Sequence, residues 1–185
     1  MEHVHITGIE RLPDSLVREP LNWLFAEHYR HRQLCKMIEG MANSASYDDE
    51  TMLEVINFLT TDMPLHVLDE EDDLFPLLRR RAQPDDDLEH VLGVLGREHK
   101  TDDVLIERVL SGLIKAQKNR KAPSLDPSLR QLLIDFVAYE RRHIALENAV
   151  VLPIARLRLN LSDLQALSAR FAARRGRMIV DSADD

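Results

Sequence analysis

Four stretches in which apolar residues recur at steps of three and four, joined by mostly short polar connections, predict an all-α protein. The expected architecture is an antiparallel up-down four-helix bundle with an N-terminal arm and a short C-terminal fifth helix. A length of 185 residues suits one domain with a sizeable core and is too short for two of ordinary size. The expected partition is an arm over residues 1–18, the bundle over 19–160, the short helix over 161–176 and a tail over 177–185.

Residues 1–18 have no sustained apolar period and include Gly8 and Pro13, so they are expected to lie over the surface with His3 and His5 solvated. Pro20 suits a first helical turn, where a missing N–H has no intrahelical partner to lose. From it Leu21, Leu24, His28, His31, Cys35 and Ile38 follow the helical period, and the run ends near Asn43 and Ser44. Asp48 and Asp49 can cap a second helix with the stripe Leu53, Ile56, Leu59, Met63, His66, Glu70, Leu74 and Leu77. Pro64 and Pro76 interrupt its hydrogen-bond ladder, so a bend near Thr60 or a break near Asp72 is expected. Most of the acidic run Asp69 to Asp73 is expected to face solvent, because a helix turns only one stripe inward.

Asp85 to Asp87 can start a third helix, with Leu88, Leu92, Leu95, His99, Asp103, Ile106, Leu110 and Leu113 on one face and His90 off it. Lys115 to Pro127 is polar and reads as the longest connection. Asp126 and Pro127 open a fourth helix whose face is Leu129, Leu133, Phe136, Glu140, His143, Glu147 and Val150. Asn160 to Asp163 ends that element and caps the fifth helix, which Gly176 can terminate after about Arg174.

Two segments echo each other. HVLDEEDDLFP, from His66 to Pro76, and HIALENAVVLP, from His143 to Pro153, both place Glu four residues after His and both close on Pro. On a helix that spacing aims an imidazole and a carboxylate at one point. AEH at His28 precedes the first copy and REH at His99 precedes the second. Each half of the chain thus contributes one lone His and one His-plus-Glu helix, the pseudo-twofold arrangement that a two-metal site needs.

His28, His66, Glu70, His99, His143 and Glu147 therefore fall on inward faces. Burying these ions unpaired would cost several kcal/mol each, and metal cations supply the compensation. Imidazole and carboxylate donors suit iron, manganese or zinc, whereas the lack of thiolate donors disfavours copper(I) and iron–sulfur clusters. The plainer alternative, a purely structural bundle with satisfied core histidines, does not explain one spacing repeated across four helices. Asp103, one turn after His99, is a candidate seventh ligand, an outer hydrogen-bond acceptor for an imidazole N–H, or part of a solvated face. His31, Glu71 and Glu140 are candidate peripheral partners. Cys35 reads as a small buried hydrophobe, and Trp23, Phe25, Tyr29, Phe136 and Tyr139 as core and groove-filling aromatics.

A formal charge of −8 argues against nucleic acid and anionic membranes as partners. No apolar run approaches the roughly 20 residues that span a bilayer, and no signal peptide is evident, so the expected location is cytoplasmic. The single cysteine fits a reducing compartment.

On the AEH, HVLDE, REH and HIALE segments, the chain from about Pro20 to Pro153 resembles the hemerythrin-like family, the HHE cation-binding four-helix bundles. That resemblance implies a non-haem di-iron centre bridged by Glu70 and Glu147, with His28, His66, His99 and His143 as terminal ligands. Oxygen-carrying members have a second His one turn after the third-helix His, where this chain has Asp103. The expectation is two iron ions, with manganese or zinc as alternatives, that bind or react with oxygen, peroxide or nitric oxide in sensing, storage or detoxification. The alternative is a metal-dependent regulatory module whose folding or binding to an unidentified protein partner reports iron or oxygen status.

Overall fold

Pro20 opens α1 (Pro20–Asn43) as the first-turn rule requires, and from there every regular element among the described residues is helical. The computed structural model describes residues 8–178, with the side chains of 101–103 outside the description; His3, His5 and the end of the tail also lie outside the described residues. Helix α2 runs unbroken over 49–81, α3 is Leu88–Lys118, α4 runs over 127–158 and α5 is Leu161–Arg174. Short 3-10 turns at Asp14–Arg18, Pro84–Asp86 and Pro123–Leu125 join them. Among the described residues no helix is long and apolar enough to cross a membrane.

The caps of α2, α4 and α5 are those expected from the residue types, whereas Asp87, which precedes α3, makes no side-chain cap hydrogen bond. The Asp48 carboxylate accepts from the N–H groups of Glu50 and Thr51, and Asp126 accepts from those of Ser128 and Leu129. Asn160 and Asp163 form a reciprocal capping box, and Gly176 takes a φ of +68°, which a residue with a side chain rarely adopts. Helix α3 continues to Lys118, three residues beyond the expected start of the connection at Lys115.

The second helix does not break near Asp72, but both places where an interruption was expected depart from the regular α-helical ladder. Helix α2 contains π turns at Phe58–Asp62 and Asp69–Leu74, and α4 contains one at Glu147–Val151. In each, an N–H five residues on closes the turn: Met63 to Phe58, Phe75 to Glu70 and Leu152 to Glu147. The donors immediately precede Pro64, Pro76 and Pro153. The missing proline N–H is thus absorbed by a wider turn rather than by a break.

The extra residue in each turn also shifts the buried face. Upstream of the first π turn the core residues are Met52 and Val55, with Leu53 53 % exposed, in place of the expected Leu53 and Ile56. At the end of the last, Val151 is buried in place of Val150.

Helices α1 and α4 exchange contacts in opposite chain order. Along α1 and α4, Asn22 meets Arg156, Glu39 meets Arg141 and the Ala42 carbonyl accepts from Arg130. Glycine permits close packing of α3 on α4, since a Cβ at Gly112 would collide with Leu129.

The interior is layered. One apolar cluster, around Leu24, Leu74, Phe75, Leu92, Val151 and Phe171, lies at one end. Another, around Leu34, Ile38, Phe58, Leu133 and Phe136, lies at the other. The polar stretches of α1, α2, α3 and α4 fall between these clusters. Phe25 and Tyr29 are 52 % and 46 % exposed, which corrects their expected place in the core. They sit on the outer face of α1, because Leu24, Glu27, His28 and His31 occupy its inner face.

The acidic run is also corrected. Asp69, Glu70 and Asp73 are buried, Glu71 is half-buried and only Asp72 is exposed. Helix α5 explains the difference, since Arg174 reaches Asp69 and Asp73, Arg175 lies 2.7 Å from Asp69 and Arg170 lies 2.8 Å from Asp73. Asp69 and Asp73 thus each face two guanidinium groups, which is the pairing that burial of charge demands. The Arg175 guanidinium also lies 4.8 Å above the ring of Trp23, tying α5 to α1.

Candidate metal centre

His28, His66, Glu70, His99, His143 and Glu147 meet at the middle of this polar layer, each buried. The two His-to-Glu pairs meet as helical geometry dictates, with Nε2 of His66 3.5 Å from Glu70 Oε1 and Nε2 of His143 3.2 Å from Glu147 Oε1. Helix α1 contributes His28, whose Nε2 lies 3.6 Å from Glu70 Oε1 and 3.3 Å from Glu147 Oε2. Helix α3 contributes His99, whose Nε2 lies 3.5 Å from Glu70 Oε2 and 3.0 Å from His143 Nε2.

Each carboxylate divides its oxygens between two ends. Glu70 turns Oε1 to His28 and His66 and Oε2 to His99, while Glu147 turns Oε2 to His28 and Oε1 to His143. Two donor groups result: His28, His66, Glu70 and Glu147 at one end, and His99, His143, Glu70 and Glu147 at the other. In each group the donor atoms lie within 4.8 Å of one another. Both glutamates lie in π turns, Glu70 in Asp69–Leu74 and Glu147 at the start of Glu147–Val151, and the wider turn sets the register from which their side chains enter the core.

The donor chemistry fits a cation on three counts. Both oxygens of Glu147, Oε2 of Glu70 and Nε2 of His28 are buried with no hydrogen-bond partner, a costly arrangement unless something binds them. Metal–donor bonds of about 2.0–2.2 Å place adjacent donors about 3.0–3.5 Å apart, which the observed spacings approach. The imidazoles are also held from behind: Nδ1 of His28 lies 3.0 Å from Asn148 Oδ1, that of His99 2.6 Å from Glu71 Oε1, and that of His143 3.0 Å from Glu98 Oε2. Such contacts leave Nε2 as the ligating atom.

Without cations the cluster divides its charge unevenly. Burial pushes Glu70 well above the usual carboxylate range, and the neighbouring Glu147 pushes it further. Burial also disfavours charge on Glu147, yet His143 beside it overcomes that and holds the carboxyl below its ordinary value. His143 is raised correspondingly, Glu147 outweighing the effect of burial. His66 is lowered, by burial and by the other imidazoles around it. A cation relieves both conflicts, since it stabilises carboxylate anions and neutral imidazoles together.

Of the peripheral candidates, Glu71 accepts from His99 and Glu140 lies 2.7 Å from Nδ1 of His31. His31 is buried against His66, ring centroids 4.5 Å apart, and donates no atom to the two main donor groups. The side chain of Asp103 lies outside the described residues. Cys35 is a buried free thiol whose pKa burial raises, consistent with an inert core position.

Glu27, Glu98 and Asn148 escaped the sequence reading. Glu27 is buried and forms a third group with His31 and His66. Glu98 and Asn148 adjoin the ligand candidates His99 and Glu147 in sequence, but their partners sit on other helices. Adjacency was the only available signal.

A family model described as the hemerythrin HHE cation binding domain matches residues 19–155. No curated protein matches the chain.

Proposed function

The chain belongs to the hemerythrin HHE cation-binding family, and from that premise we propose that an antiparallel four-helix bundle here holds two iron ions and uses them to bind or react with a small oxidant. The observation that carries this reading is the division of each carboxylate's oxygens between the two donor groups, which suits Glu70 and Glu147 to bridging. His28 and His66 would serve one ion, and His99 and His143 the other. Manganese or zinc would be held by the same donors.

When bound, an iron pair supplies a redox-active position for oxygen, peroxide or nitric oxide. The chain's own residues supply the rest. The two apolar clusters that bracket the polar layer exclude water and strengthen every electrostatic contact inside it. Glu71, Glu98 and Asn148 hold three imidazole rings in the tautomer that leaves Nε2 free for the cation. The cytoplasm is the compartment this reading assigns.

The test is anaerobic reduction of the purified protein followed by one equivalent of oxygen, peroxide or nitric oxide under optical monitoring. The expected result is a stoichiometric spectral change with at least one of the three. Reversal on degassing would identify carriage, and sustained peroxide loss would identify turnover. A reduced, metal-loaded protein indifferent to all three oxidants contradicts the proposal.

A second reading, regulation by metal occupancy, draws support from α5. Asp69 flanks Glu70 and Asp73 lies on the same π turn, and both are gripped by arginines of that helix and its end. Movement of Glu70 on binding a cation would thus reach the surface of α5 directly.

A further inference from the structure

The imidazoles at the two ends of the centre are backed by different chemistry. At one end both acceptors are anionic, with His99 Nδ1 2.6 Å from Glu71 Oε1 and His143 Nδ1 3.0 Å from Glu98 Oε2. At the other, His28 Nδ1 meets the neutral amide oxygen of Asn148 at 3.0 Å. His66 Nδ1 is buried with no hydrogen-bond partner, and its neighbour His31 is already committed through Nδ1 to Glu140 at 2.7 Å. The other anions near this end are also engaged. Glu27 lies 2.9 Å from Arg30, and Asp69 is covered by Arg174 and Arg175.

A carboxylate that accepts the N–H of a ligating imidazole makes the opposite nitrogen a stronger donor and fixes the ring. Such a partner is typically worth about 10–100-fold in metal affinity. An amide oxygen orients the ring without adding charge, and an unpartnered N–H does neither. Glu98 is partly offset by Arg142 at 3.3 Å, and Glu71 lies closer to its imidazole than Glu98 does to His143.

On the reading that the centre holds two cations, we propose that its positions are inequivalent: the His99/His143 position binds more tightly and fills first, and the His28/His66 position is the exchangeable one. A protein given one equivalent of metal would therefore carry it between α3 and α4.

The test is titration of metal-free, full-length protein with cobalt(II), following its visible absorption. Repulsion between neighbouring cations separates two binding steps in any case, so variants decide the matter. His28→Gln is expected to keep the first step at wild-type affinity, whereas His143→Gln abolishes it. Glu71→Gln and Glu98→Gln should each weaken the first step about 10–100-fold, and Asn148→Asp should tighten the second. Circular dichroism establishes that each near-isosteric variant is folded.

Equal weakening of the first step by His28→Gln and His143→Gln overturns the inequivalence and leaves the two-cation reading standing. So does a first step indifferent to Glu71→Gln and Glu98→Gln. Failure of the wild-type protein to bind any cobalt(II) overturns both.

Discussion

Glu147→Ala is expected to empty both ends of the centre, whereas His66→Ala empties one. Glu147 presents Oε2 toward His28 and Oε1 toward His143, so its removal deletes a donor from each group. Glu70 stands in the same relation to His28 and His66 on one side and His99 on the other. Loss of either carboxylate also removes a negative charge that offsets two cations at once, and affinity at both positions should fall by about 100-fold or more, beyond the loss typical of an outer partner. His66 touches only one donor group by its Nε2, so His66→Ala should retain about one ion per chain. Metal content measured after gel filtration checks the contrast. If the cluster were an ordinary buried polar network, the variants would differ in stability without differing in metal.

Removing the cations from the native protein is expected to lower its melting temperature by roughly 8–16 °C. A ligand present at about a thousandfold above its dissociation constant stabilises the folded state by about 4 kcal/mol. For a chain of 185 residues each kcal/mol corresponds to about 2–4 °C. The physical source is local. Both oxygens of Glu147 and Nε2 of His28 are buried without a hydrogen-bond partner, and such groups are desolvated on folding without return unless a cation binds them. Differential scanning calorimetry before and after chelation measures the shift. An unchanged melting temperature would remove both the metal centre and the regulatory reading, because each requires binding and folding to be linked.

The residues that converge on the centre were legible because two constraints coincide in the sequence. A His and a Glu four apart must share a helix face, and the second copy at His143 and Glu147 makes chance placement of the first implausible. The all-helical class followed from periodicity in the same way. What periodicity could not express was a change of period. The π turns at Phe58, Asp69 and Glu147 insert a residue, so the stripe drawn through Leu53 and Ile56 misses the core by one position, and Val150 yields to Val151.

Contacts between helices were beyond reach for a different reason. Asp69 and Asp73 look solvated on their own helix, and only the arginines of a distant segment make their burial affordable. Glu98 and Asn148 serve imidazoles on α4 and α1 respectively, a pairing that depends on register between elements.

Elemental analysis of protein purified without added metal, joined to an optical spectrum in air, tests the central claim most directly. The account predicts about two transition-metal ions per chain, with iron and an oxo-bridge charge-transfer band as the leading outcome. A folded wild-type protein with no stoichiometric transition metal, and none taken up when iron, manganese or zinc is supplied, would contradict it.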